Sequence, residues 1–194
     1  MEKKHTIAHF FTAIVFVIFA IALLKISSGA ATTDRFKNDY GPVLALYIPF
    51  LLCIVGLAGI ITVLQEGEFL DWLKSVGVIA LIGLAGFIFD GMQWAAALVG
   101  GLYAVYWTIV ALRSLANNWD AYEWENKLLA LARVLIAAAL VLAVVVWVQL
   151  PVERDVTQDM SSVTTICGWA GGVAIAAAVC VFIEGVLWIK YADY

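Results

Sequence analysis

Long apolar runs separated by short polar breaks set the pattern of this chain. A helix rises about 1.5 Å per residue, so crossing a hydrocarbon core of about 30 Å takes roughly 20 mainly apolar residues. Six stretches meet that length: Thr6–Ile26, Val43–Leu64, Phe69–Phe89, Met92–Leu115, Leu128–Leu150 and Thr164–Tyr191. The pattern predicts an all-α, polytopic transmembrane helical bundle, a single domain over residues 1–194 with about six spans.

The breaks carry their own signals. Gly41-Pro42 opens the second stretch, with Pro42 suited to a first helical turn, and Pro49 inside it predicts a kink. Asp90-Gly91 separates the third and fourth, and Asp90 with Gln93 makes a capping-box pattern that predicts a tight helical hairpin. Asp120 and Glu123 repeat that pattern before the fifth stretch, where the amphipathic Tyr122–Lys127 suits a helix start lying at the interface. Pro151 ends the fifth.

The spans group as three successive hairpins, over residues 1–66, 67–117 and 118–194. The second helix of each carries small residues: Gly56 and Gly59, then Gly100 and Gly101, then Gly168, Gly171 and Gly172. An internal repeat accounts for this, and so does the general glycine enrichment of membrane helices.

Composition removes the soluble alternative. The 194 residues are 64% hydrophobic and 13% charged, against about 45–50% and roughly 25% in soluble domains. In water such a chain would expose apolar patches that soluble proteins avoid, whereas lipid covers them. The run Ile7–Leu24 is long for a signal-peptide core, and Lys25 interrupts the approach to a cleavage site near Ser28–Ala31, which favours an uncleaved first span. Net charge is −4 and the basic residues form no run, which argues against nucleic acid as a partner.

Basic residues near the span ends set the expected orientation. Lys3, Lys4, Lys74, Arg113, Lys127, Arg133 and Lys190 fall on one side, and Lys25, Arg35, Lys37 and Arg154 on the other. The bias favours both termini in the cytoplasm. Trp72, Trp94, Trp119, Trp124 and Trp188 lie near predicted span ends, as interfacial anchors do. Cys53, Cys167 and Cys180 all fall in apolar stretches and read as buried thiols.

Few residues offer chemistry. Glu184 lies inside the sixth span, where an acidic group costs about 2.5–3.5 kcal/mol at a helix centre. Ala170, Ala177 and Glu184 share a face at heptad spacing, with Val173 and Cys180 between, so another helix can approach closely. Glu184 reads as a proton or cation site on a polar pathway, as a protonated or Arg-paired carboxylate joining two helices, or as an interfacial group about one and a half turns from Lys190. Arg133 can pair with Glu184 from the same membrane side, and snorkelling towards the headgroups is the reading its position favours.

His5 and His9, four apart, share a helix face, as a metal-ligand pair would. They are the only histidines, and without a third ligand or an embedded acidic partner they read first as interfacial side chains. Gly168 and Gly172 form a GxxxG pair, and Ala96, Gly100 and Ala104 a small-residue stripe, both suited to helix packing within the bundle or between protomers. There is no phosphate loop, nucleophile elbow, HExxH or CxxC, so no catalytic set is read and no metal or other cofactor is expected.

The sets Val55-Gly56-Leu57, Val99-Gly100-Gly101 and Gly171-Gly172-Val173, spread over three helix pairs, resemble in outline the HdeD-type family of small six-span acid-resistance membrane proteins. The long loop 117–127 departs from that outline. The resemblance implies a stress-linked membrane role without known catalysis and supplies no site residues; the expected location is a bacterial or archaeal inner or plasma membrane. The first functional expectation is a non-enzymatic accessory, assembly or stress-associated membrane protein, in contact with lipid and with other subunits or copies of itself. The alternative is a channel or transporter for a small solute or ion that uses Glu184.

Overall fold

Helix boundaries fall at the polar breaks. The computed structural model describes residues 2–28, 41–64, 92–120, 123–149 and 161–192, and every regular element among them is an α-helix. These are α1 (Glu2–Ser27), α2 (Gly41–Leu64), α3 (Met92–Asn118), α4 (Trp124–Gln149) and α5 (Ser161–Ala192). The predicted third span Phe69–Phe89 and the Asp90-Gly91 hairpin lie outside the described residues.

Several helices outrun the apolar stretches that predict them, because their end turns are polar and bond locally. At the end of α1 the Ser28 hydroxyl donates to the Lys25 carbonyl at 3.0 Å. At the end of α3 the Asn118 amide donates to the Ser114 carbonyl, also at 3.0 Å. At the start of α5 the hydroxyls of Thr164 and Thr165 donate to the Ser161 carbonyl at 2.9 and 2.8 Å. α2 continues through Pro49.

Stretches within α1, α3, α4 and α5 are long and apolar enough to cross a membrane: His5–Ser27, Leu98–Asn118, Trp124–Gln149 and Ser161–Lys190. α2 carries the shorter apolar stretch Ile48–Ile61. Their outer faces expose large apolar side chains such as Ile14, Leu102, Leu112, Val148, Val179 and Phe182. Water would penalise that surface and acyl chains would not.

Packing places the first and last helices side by side, with α2 against α1, α4 against α5 and α3 against α4; α2 touches α3 lightly. Small residues set the closest approaches, since helices in lipid associate through van der Waals contact rather than a hydrophobic drive. A Cβ on Gly171 would fall 2.8 Å from Leu24 Cγ and 3.4 Å from the Ala20 carbonyl oxygen. One on Gly56 would fall 3.2 Å from Thr12 Cα, and one on Gly100 would fall 2.6 Å from the Phe50 ring. Phe50 is fully buried between Phe19 and Trp147, with ring centroids 5.8 and 6.2 Å away.

These contacts also fix direction. α1 and α5 are antiparallel, from His5 beside Trp188 at one end to Ser27 beside Gly168 at the other. α2 runs against α1, with Gly56 at Thr12 and Phe50 at Phe19. α3 runs against α4, with Gly100 at Val144 and Trp107 at Arg133. Two levels result: Phe19, Phe50, Gly100 and Trp147 at one, and His9, Trp107, Arg133 and Glu184 at the other.

Candidate functional site

Charge enters the bundle interior at the second of these levels. α5 presents Ala170 and Ala177, both fully buried, and then Glu184 on the same face at the next heptad position. A face of alanines lets neighbours close in, and the closure takes the carboxylate inside with it: Glu184 is 5% exposed. The last turns of α5 lie beyond it, Lys190 being about 9 Å further along the axis.

Two cations or potential cations meet that carboxylate from different helices. Arg133 Nη1 on α4 donates to Glu184 Oε2 at 3.2 Å. His9 Nε2 on α1 lies 3.3 Å from the same oxygen. Arg133 is 3% exposed and His9 1%. Glu184 Oε1 has no hydrogen-bond partner among the described residues. The guanidinium thus binds through one nitrogen, without the two-bond fork that an arginine–carboxylate pair can form.

The surroundings hold each group in place. The Arg133 guanidinium carbon stands 5.6 Å from the centroid of the buried Trp107 ring, a cation–π contact from α3. His9 Nδ1 lies 2.7 Å from the His5 carbonyl oxygen. A carbonyl only accepts, so Nδ1 carries the hydrogen and Nε2 is the nitrogen turned to Glu184. One turn outward on both helices, the rings of His5 and Trp188 stack at 4.3 Å and 12°. Gly185 lets α1 close on this region: a Cβ there would fall 2.9 Å from Phe10 and 3.2 Å from His9 Cβ.

Two expectations change here. Snorkelling is not what Arg133 does: its side chain turns inward, because a carboxylate of opposite charge waits at the same depth on α5. His9 does have an embedded acidic neighbour, and it is Glu184. It is buried rather than interfacial, since α5 covers the face of α1 on which it sits.

Although they share a helix face, His5 and His9 engage different groups, Trp188 and Glu184. Among the described residues no group of three or more His, Cys, Asp or Glu side chains is placed to hold a metal ion.

The small residues divide. Gly100 and Ala104 are buried, and Gly168 meets Ser27 Oγ, 2.9 Å from where a Cβ would stand. Gly172 is exposed, and a Cβ on it would meet nothing within 4 Å. The close contact of α5 with α1 therefore uses Gly168, Gly171 and Gly185 rather than the Gly168–Gly172 pair. Cys53, Cys167 and Cys180 are buried free thiols.

No family model, curated protein or solved structure matches the chain. What the cluster can do follows from its atoms. It ties three helices through one carboxylate oxygen, and it offers a nitrogen and an oxygen between which a proton can sit. Sequence reasoning reached Glu184 and Arg133 and left His9 at the surface; the signal for His9 was the small-residue face of α5, which needs a partner helix.

Proposed function

We propose that this chain is a non-enzymatic integral membrane protein of six spans, an accessory or assembly subunit built around a sealed polar clamp. The observation that carries this reading is the burial of all three members of the His9–Arg133–Glu184 cluster, on three different helices. A buried charge pair is costly to desolvate and is best attested where it fixes register and specificity, which suits a structural member of an assembly. Support for six spans comes from direction. α2 and α3 run the same way, and the apolar stretch Phe69–Phe89 that separates them in the sequence is read as the returning span. Phe69–Phe89 is about 30 Å long as a helix, the thickness of a hydrocarbon core. The lipid-facing apolar surfaces leave room for other subunits or a second copy. The stress-linked form of this role, and the cytoplasmic placing of both termini, belong to the same proposal.

Reconstituted vesicles test it. Wild-type protein passes protons and small ions no faster than empty vesicles leak, and protein isolated from its native membrane migrates with other subunits in fixed stoichiometry. A transporter reading rests on the same ionisable cluster. It replaces this one if wild-type vesicles conduct and Glu184→Gln abolishes the conduction.

A further inference from the structure

The hydrogen count between His9 and Glu184 is incomplete. Nδ1 of His9 is committed to the His5 carbonyl, so in the neutral ring Nε2 carries only a lone pair. That lone pair faces Glu184 Oε2 at 3.3 Å, and an ionised carboxylate offers only lone pairs in return. With no hydrogen between them the two atoms repel. Arg133 supplies one hydrogen bond to Oε2, and the buried Oε1 has no hydrogen-bond partner among the described residues. An unsolvated carboxylate oxygen is expensive, and one monodentate donor is a small return for it.

We propose that His9 and Glu184 form a binding site for a single proton, held between Nε2 and Oε2, beside the fixed positive charge of Arg133, which Glu184 balances when the proton is absent. The proton comes from water and forms one N–H bond at Nε2, donated to Oε2. No electrons move. The cluster goes from neutral, with Arg133 and Glu184 cancelling, to one net positive charge, which the face of Trp107 helps to hold.

The other groups around the site leave this pair as the place where the proton goes. His5 on α1 is stacked on Trp188, one turn outward. Cys180 lies one turn back from Glu184 on α5, a buried thiol. α2 brings no charged residue along Ile48–Ile61. α3 presents Trp107 with Tyr106 at its edge, and α4 presents Arg133 itself.

Access is one-sided. Outward, the His5–Trp188 stack lies one turn from the site among the described residues. Inward lie Ala13, Phe16, Ala177 and Val181, buried and apolar, with the Cys180 thiol and with Thr12, whose hydroxyl is committed to the Ala8 carbonyl at 2.7 Å. A proton therefore exchanges with the side that holds the start of α1 and the end of α5, and does not cross. The one-sidedness rests on the sealed-bundle reading above; the proton site itself does not.

Nitrogen NMR of full-length protein labelled with ¹⁵N-histidine, in vesicles of fixed orientation, tests both parts. The two histidines are assigned with His5→Gln. The His9 ring should carry hydrogen on both nitrogens, with the Nε2 hydrogen shared with Glu184. That hydrogen should exchange with deuterium supplied on the terminal side alone. Glu184→Gln, which removes the anionic partner, should leave Nε2 bare. A wild-type His9 Nε2 without hydrogen overturns the site, whether or not the variant folds, and so does a Glu184→Gln variant whose Nε2 keeps it. Exchange from the opposite compartment overturns the one-sided access, and proton flux through wild-type vesicles overturns the sealed bundle while leaving the site intact.

Discussion

Arg133 brings a permanent charge into the interior, and its cost decides how the site behaves. Removing one partner of a buried ion pair strands the other and costs about 3–5 kcal/mol, whereas replacing both with apolar groups is often neutral. Arg133→Met should therefore lower resistance to denaturant strongly, and Arg133→Met combined with Glu184→Leu should recover most of the loss. Tryptophan fluorescence during detergent unfolding reads both; a double variant as weak as the single one would show that the pair is not what matters. Glu184 and Arg133 were legible in the sequence because each breaks an apolar run. Which way Arg133 turns was not, since α4 is apolar on every side and no polar face gives its rotation. Ala130, Ile136, Ala137 and Leu140 share its buried side, a fact visible only once neighbours are in place. His9 lies almost the whole chain away from Glu184, and no local spacing joins them.

At the scale of elements the close contact of α5 with α1 is marked by Gly168, Gly171 and Gly185. Gly185→Ala forces a methyl to 2.9 Å from the Phe10 ring and 3.2 Å from His9 Cβ. Overpacking of that kind costs about 1–3 kcal/mol. Gly172→Ala meets nothing within 4 Å and should be neutral or stabilising by up to about 1 kcal/mol, from helix propensity. Equal losses from the two in thermal unfolding would place the close contact elsewhere. A four-residue glycine spacing is the sequence sign of close helix contact, and it pointed to Gly168 and Gly172. The contact instead joins Gly168 to Gly171 and Gly185, while Gly172 faces outward. Helix existence was legible throughout the described residues from apolar length, but helix ends were less so, because polar end turns that bond locally extend them. Neighbours were less so: consecutive helices pair, but the most extensive contact joins the first to the last.

For the molecule as a whole, direction makes a topological prediction. Single cysteines at Glu66→Cys and Asp90→Cys, at either end of the stretch between α2 and α3, should react with a membrane-impermeant thiol reagent from opposite faces of the bilayer. The native cysteines are buried and leave the background low. Labelling of both from one face would remove the sixth crossing.

The pairing of α1 with α5 also orders events during synthesis. His9 is made early and Arg133 midway, and the carboxylate that joins them arrives only with the last helix. Without α5 the guanidinium of Arg133 has no carboxylate to meet, so the three-helix cluster closes only once α5 joins α1 and α4.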